Sequence, residues 1–154
     1  QRPGKASEIP ASFAELNVDV PAKEAAHTYE ISSGPGSTHF IDGGEELLET
    51  LYGQYRMYLV TNGTLSVQKG RLKSSGISRY FEDIFISEEL GYNKPGREYF
   101  DCCFSRIPDF HKETAVIIGD SLTSDIQGGI NAGIRTIWFN PSHEKTSEII
   151  LIMN

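Results

Sequence analysis

The apolar and polar positions alternate in a regular way from residue 42 onward. Leucines at positions 47, 48 and 51 fall at helical spacing after Gly43 and Gly44, and Gly53 lies just past the last of them. The compact apolar and aromatic run at 55–60 then stops at Thr-Asn-Gly, as a buried strand does at a turn. This pattern predicts a helix of about three turns followed by a buried strand.

The same alternation continues to residue 139. It predicts a helix at 65–74, a strand at 84–86, a helix at 96–105, a strand at 115–118, a helix at 123–132 and a strand at 136–139. Alternating strands and helices form crossover units, and such units build a parallel sheet covered by helices on both faces. The predicted fold class is therefore α/β, with a doubly wound parallel sheet.

Both ends of the chain are less regular. The segment AELNVDVPAKEAAHTYEIS has a helical composition, and Pro21 is placed like a first-turn proline, before SSGPGSTHF breaks the pattern. We expect one or two short helices and a flexible join in this region. The tail, EIILIMN, predicts a further short apolar element.

Composition and charge narrow the class of protein. The chain has 154 residues and a formal net charge of −7, so no broad basic field exists for a nucleic acid polymer or an anionic membrane. No stretch approaches the roughly 20 apolar residues of a membrane span. The only cysteines, Cys102 and Cys103, are adjacent in a predicted helix, which favours reduced thiols over a disulfide. We expect one globular domain in a soluble, cytoplasmic protein.

The strongest chemical signal is Gly119-Asp120, with Asp125 five residues further on. Parallel sheets bind ligands at the carboxyl ends of their strands, and this segment follows the best predicted strand and opens a helix. Two carboxylates close together at a strand end repel unless a cation lies between them. Mg²⁺ binds one or two carboxylates together with waters and a phosphate. The alternative is structural, with Asp120 in a turn, Thr123 as a helix cap and Asp125 complementing the helix dipole.

Two weaker signals precede it. Thr61 and the backbone amides at Asn62 and Gly63 could form a small anion cradle at the start of the next helix, although Thr-Asn-Gly is also a good turn. Lys94 lies in a turn before a helix, where an ammonium group could neutralise a phosphoryl group. Most lysines, however, are only solvated.

The order of these motifs resembles the second, third and fourth motifs of the haloacid dehalogenase superfamily. The resemblance runs over residues 42–141, and its main stretches are VTNG, SGISRYFEDIFISEELGYNKPGREYFD and IIGDSLTSDIQGGINAGIRTIWFN. These stretches are most similar to the capped, nucleotidase-like phosphatases of that superfamily. The resemblance implies a Rossmann-like core.

The resemblance also implies roles for particular residues. Thr61 and the Asn62 backbone amide would bind the phosphoryl group, Lys94 would stabilise its charge, Asp120 would bind Mg²⁺, and Asp125 would ligate the ion or orient a water. The family reaction is attack by an aspartate on phosphorus, followed by hydrolysis of the aspartyl-phosphate. The implied substrate is a small phosphorylated metabolite, with a nucleoside monophosphate as one candidate.

The first family motif, Asp-x-Asp after an apolar strand, is absent, because neither Asp19 nor Asp42 has a second aspartate two residues on. FIDGG resembles the return from cap to core, so we assign 1–40 to a cap remnant and linker and 41–154 to the core. The chain would then begin within the family's protein and lack the central strand of the sheet. Direct pairing of its neighbours, the N-terminal segment or a partner chain would fill the gap, and exposed strand edges would favour self-association.

Three alternatives stay open at this stage. A non-catalytic fragment or binding module would keep the fold and the metal site without the nucleophile. A haloacid dehalogenase shares the fold, but Asp120 disfavours it because those enzymes place an uncharged residue there. Receiver domains also combine acidic residues, Thr and Lys around Mg²⁺, but their acidic residues come first in the chain.

Overall fold

A computed structural model describes residues 24–27 and 43–140 of the chain. The strands are β1 Glu24–His27, β2 Arg56–Thr61, β3 Asp83–Ile86, β4 Ala115–Gly119 and β5 Arg135–Trp138. The α-helices are α1 Gly44–Leu51, α2 Leu65–Ser75, α3 Ser87–Leu90, α4 Arg97–Arg106 and α5 Gln127–Ala132. Two 3₁₀ turns, Ile77–Tyr80 and Lys112–Thr114, and a π-helical turn, Leu122–Ile126, lie between them.

All five strands belong to one parallel sheet in the order β3-β2-β1-β4-β5. Successive residues of β2 point to opposite faces, so Met57 and Leu59 enter one hydrophobic core while Tyr58 and Val60 enter the other. The first core lies under α1 and the second under α4 and α5. The predicted α/β class with a doubly wound parallel sheet is confirmed.

The central strand, β1, lies in the region for which the sequence predicts short helices and a linker. Its four residues pair in register with 56–59 of β2 and with 115–118 of β4. Pairing on both sides with two apolar strands outweighs the helix preference of glutamate and alanine, which corrects the helical interpretation at 24–27. The rest of 1–40 and the tail EIILIMN lie outside the described residues.

This strand occupies the place for which the sequence predicts a missing central strand. Of the three expected ways of filling it, the structure shows the second, in which the N-terminal segment of the chain is used. The facing edges of β2 and β4 are therefore paired, so they offer no support for the expected self-association. The sequence of β1, Glu-Ala-Ala-His, supplies no Asp-x-Asp, and neither does any other part of the chain.

The helix predicted at 123–132 divides into the π-helical turn and α5. Two adjacent glycines let α5 lie close to its neighbours. A Cβ atom on Gly128 would lie 2.5 Å from the Phe100 ring, and one on Gly129 would lie 2.5 Å from both Ile117 and Thr136. Helix α5 can therefore pack tightly on the sheet, which fixes the position of the turn that precedes it.

Two expectations about the class of protein can be compared with the structure. Among the described residues, no helix combines the length and the apolar character that crossing a bilayer requires. Cys102 and Cys103 are free thiols, the second of them buried in α4, and this agrees with the absence of a disulfide.

Candidate functional site

The carboxyl ends of the strands place the predicted site residues along one edge of the sheet. Thr61 is the last residue of β2 and is buried. Asp120 directly follows β4, and Asp125 lies in the π-helical turn after it. Lys94 lies between α3 and α4. Because all strands are parallel, these segments meet at the same edge, as the sequence predicts.

Lys94 and Asp125 form a buried ion pair. The Lys94 Nζ atom lies 2.6 Å from Asp125 Oδ1, and the two side chains are 3% and 0% exposed. Nζ also donates to the carbonyl oxygen of Val60, at 3.2 Å. An ammonium group has three N–H donors, and the described residues use two of them. One N–H therefore remains for a ligand beside Thr61.

The backbone of Lys94 is held by the side chain of Asn62. Asn62 Oδ1 accepts from the Lys94 amide at 2.9 Å, and Asn62 Nδ2 donates to the Lys94 carbonyl oxygen at 3.0 Å. From the other side, Asn131 Nδ2 in α5 donates to the carbonyl oxygen of Pro95, at 3.0 Å. The loop that carries the ammonium group is thus fixed by two asparagines, one from β2's carboxyl end and one from α5.

Asp125 is positioned by the turn that contains it. Its second oxygen, Oδ2, accepts from the backbone amide of Ser121 at 3.2 Å, and the Ser121 hydroxyl caps the turn by accepting from the Ser124 amide. Gly119 is required at the end of β4, because a Cβ atom there would lie 2.4 Å from Asp125 Oδ2. Both carboxylate oxygens of Asp125 are therefore engaged with protein donors.

Asp120 differs from Asp125 in being exposed. Its backbone carbonyl accepts from Trp138 Nε1 at 2.9 Å, whereas no described residue bonds its carboxylate. The described residues contain no group of three or more His, Cys, Asp or Glu able to hold a metal. Mg²⁺ needs no such cage, because one or two carboxylates, waters and a phosphate are enough. An exposed carboxylate that no described residue bonds suits this ion.

The turn after Thr61 offers fewer amides than the sequence suggests. The Gly63 amide donates to the Ser87 hydroxyl at 2.9 Å, and the Leu65 amide donates to the Glu88 carboxylate. The Thr61 amide donates to the Tyr99 hydroxyl at 2.9 Å. The predicted anion cradle therefore narrows to the Thr61 hydroxyl, the Asn62 amide and the Lys94 ammonium.

Charged side chains are rarely buried in this part of the chain. Within residues 43–140, Lys94 and Asp125 are accompanied by no other buried lysine, arginine, aspartate or glutamate. Burial raises the pKa of the Tyr99 hydroxyl, and it raises the pKa of the Cys103 thiol to about 12, so both groups stay neutral. The Lys94 ammonium thus faces the end of β2, balanced by Asp125.

Several side chains that shape the site escaped prediction. The Asn62 amide group holds Lys94, the Tyr99 hydroxyl bridges the Thr61 amide and the Phe85 carbonyl, and Gln68 contacts the Thr61 hydroxyl. Asn62 stands within the Thr-Asn-Gly motif, so its side chain could have been considered. Tyr99 and Gln68 lie within helices, and nothing in their local sequence marks them.

Comparisons with known proteins give the family and the relatives that this chain resembles. A family model described as haloacid dehalogenase-like hydrolase matches residues 7–139. The pyrimidine 5'-nucleotidase PynA of Streptococcus pneumoniae is 47% identical over 104 residues, which is 67% of this chain and 44% of that protein. The pyrimidine 5'-nucleotidase YjjG of Escherichia coli is 35% identical over 108 residues, or 70% of this chain and 48% of that protein.

A solved structure of a member of the same family has a similar fold. The HAD-hydrolase YfnB of Bacillus subtilis, crystallised with magnesium, superposes with a TM-score of 0.67 and 48% identity, over 69% of this chain and 46% of that one. The chain thus spans less than half the length of each of these relatives.

Proposed function

Since the chain belongs to the haloacid dehalogenase-like hydrolase family, we propose that it supplies the phosphate-binding and magnesium-binding part of a phosphatase site. The relatives described above include two pyrimidine 5'-nucleotidases, which are phosphoric monoester hydrolases. We propose that a small phosphorylated metabolite is the substrate and that a nucleoside monophosphate is the first one to examine.

The observation that supports this proposal most directly is the buried ion pair beside Thr61. The distance of 2.6 Å between Lys94 Nζ and Asp125 Oδ1 and the 3.2 Å contact to the Val60 carbonyl fix the ammonium group next to the end of β2. Phosphoryl transfer depends above all on positioning and on neutralising charge. A rigid ammonium group in a poorly solvated position provides both.

Each residue would then have a separate task. The remaining N–H of Lys94 and the hydroxyl of Thr61 would donate to oxygens of the phosphoryl group, with the Asn62 amide beside them. Asp125 would hold the ammonium group in place, because its two oxygens already accept from Lys94 and Ser121. The geometry thus favours Asp125 as a positioning residue over a direct metal ligand.

Asp120 would be the main protein ligand of Mg²⁺. Its carboxylate is exposed at the same edge and has no protein donor among the described residues. When bound, Mg²⁺ would neutralise charge on the phosphoryl oxygens. A charged residue at this position also disfavours the dehalogenase alternative.

The nucleophile of the family reaction is the part that this sequence does not contain. No two aspartates are separated by a single residue anywhere in its 154 residues. We therefore propose that turnover requires an Asp-x-Asp segment supplied together with this chain. The absence of the motif also favours the second candidate function, a non-catalytic module that binds phosphate and magnesium.

A binding experiment tests the proposal without needing turnover. Inorganic phosphate is titrated into the chain with and without Mg²⁺, and the heat of binding is measured. We expect saturable binding that Thr61→Val weakens about tenfold, the loss of one hydrogen bond to a charged ligand. Thr50→Val is the matched control, because the Thr50 hydroxyl donates to the Glu46 carbonyl within α1, remote from the site. A folded chain that binds no phosphate would contradict the proposal.

A turnover assay separates the two candidate functions. The chain is incubated with p-nitrophenyl phosphate and Mg²⁺, alone and then with an added N-terminal segment that carries Asp-x-Asp after an apolar strand. The phosphatase proposal expects turnover only with the added segment, and expects Asp120→Asn to abolish it. Turnover that never appears, together with intact phosphate binding, would favour the non-catalytic module.

A further inference from the structure

Gln68 contacts two acceptors at the end of β2 although it belongs to α2. Its Nε2 atom donates to the Thr61 hydroxyl oxygen at 3.1 Å and to the Asn62 carbonyl oxygen at 3.0 Å. The bonded atom must be the amide nitrogen, because a carbonyl oxygen only accepts. The side chain thus reaches from a mostly exposed helix back to the site.

Gly63 makes this contact possible. A Cβ atom at position 63 would lie 2.6 Å from Gln68 Nε2, and the backbone there has a positive φ of 148°. Any larger residue would therefore displace the amide group or strain the turn. The close fit indicates that Gly63 serves the approach of Gln68 as well as the turn itself.

We propose that Gln68 is a positioning residue that directs the Thr61 hydroxyl toward the phosphoryl group; this inference rests on the proposed function. A hydroxyl has one proton to donate and two lone pairs that accept. Gln68 occupies one of those lone pairs, so the proton is the part of the hydroxyl that can turn to an incoming ligand. That arrangement suits an anion with acceptor oxygens.

The second bond of Gln68 lowers the cost of turning the hydroxyl. Without a ligand, the Thr61 hydroxyl donates to the Asn62 carbonyl at 3.3 Å. When that proton turns to a phosphoryl oxygen, the Asn62 carbonyl still accepts from Gln68 and is not left unsatisfied. Gln68 thus supports the ligand-bound orientation without contacting the ligand.

A double-variant cycle tests this role through phosphate binding in the presence of Mg²⁺. Gln68→Leu removes both donations, and we expect it to weaken the binding of inorganic phosphate about three- to tenfold. In the Thr61→Val background the same substitution should have almost no further effect, because Gln68 acts through the hydroxyl. Gln54→Leu is the matched control, since the Gln54 side-chain amide has the Thr50 carbonyl as its one hydrogen-bond partner among the described residues.

A second variant distinguishes this role from a purely structural one. Gln68→Glu keeps the size and the helix preference of the side chain. Its carboxylate, however, accepts a hydrogen bond from the Thr61 hydroxyl and places a negative charge near the ligand. Its loss of affinity should exceed that of Gln68→Leu at pH 7. This loss of affinity relative to the wild type should be smaller at about pH 4, where a carboxyl of ordinary pKa regains its proton.

The outcomes separate the inference from the function on which it rests. Failure of the wild-type chain to bind phosphate overturns both. Binding that Thr61→Val weakens while both substitutions at Gln68 leave it unchanged overturns the inference alone. An equal loss from Gln68→Leu with and without the Thr61 hydroxyl overturns it as well.

Discussion

The Lys94 ammonium lies 2.6 Å from the Asp125 carboxylate, and the two groups come from loops on opposite sides of the central strand. Lys94 follows β3 and α3, whereas Asp125 follows β4. The pair is therefore a tertiary contact between two separate crossover units.

Removing one partner of this pair should destabilise the protein strongly. Lys94→Met leaves the Asp125 carboxylate buried without its cation, and we expect a loss of about 3–5 kcal/mol in the free energy of unfolding. The double variant Lys94→Met/Asp125→Asn should lose less than the sum of the two single variants. Urea unfolding measures all three.

The exposed pair of Arg97 and Asp101 provides the matched control, because its atoms are 3.7 Å apart and its side chains are more than half exposed. Arg97→Met should cost under about 0.5 kcal/mol. Strictly additive costs at 94 and 125 would show that the buried pair is not coupled.

Asn62 should support the Lys94 loop through its side chain. Asn62→Ala removes two hydrogen bonds to the Lys94 backbone, and we expect a loss of about 2 kcal/mol together with weaker phosphate binding. Asn131→Ala removes one bond to the same loop, at Pro95, and an exposed bond from Gln127, so it should weaken phosphate binding less than Asn62→Ala does. Equal phosphate affinity in the wild type and Asn62→Ala would argue against a positioning role.

Asp120 should make phosphate binding sensitive to magnesium. In the wild type we expect Mg²⁺ to tighten phosphate binding, and in Asp120→Asn we expect that enhancement to fall by at least about tenfold, or about 1.4 kcal/mol. Calorimetric titrations with and without Mg²⁺ measure it. Asp101→Asn, in the exposed part of α4, is the control. An undiminished response to Mg²⁺ in Asp120→Asn would place the ion elsewhere.

Cys103 should make the protein less stable in alkali. Burial holds the pKa of this thiol at about 12, whereas an unfolded thiol loses its proton at about pH 8.5. Above that lower value the unfolded state binds fewer protons than the folded state, so the free energy of unfolding falls as pH rises toward 12.

Alkylation checks the same property directly. In Cys102→Ser, Cys103 is the sole cysteine, and iodoacetamide at about pH 9 should label it slowly in the folded chain and fast in denaturant. Mass spectrometry counts the adducts. Rapid labelling of the folded chain would mean that the thiolate forms readily.

The sequence predicts the elements of this fold where their pattern is strong. The apolar runs of β2 and β4 and the leucines of α1 appear where the pattern places them, within about one or two residues. The central strand could not be predicted, because its residues favour a helix in isolation and become a strand only through pairing with β2 and β4.

The placement of the candidate site residues was predictable to the same degree. Thr61, Lys94, Asp120 and Asp125 lie at the sheet edge that the parallel topology implies. The sequence could not predict which hydrogen-bond partner each side chain has. The contacts of Asn62 and Gln68 join residues that are distant in the chain or lie on a helix with no marked face, so only the folded structure reveals them.

The central strand gives the ion pair a role in holding the sheet together. Among the described residues, four residues of β1 join the half of the sheet formed by β3 and β2 to the half formed by β4 and β5. Lys94 and Asp125 connect these two halves at the carboxyl edge of the sheet. A ligand bound at this ion pair would hold both halves of the sheet together. Occupancy of the site and cooperativity of unfolding should therefore rise together.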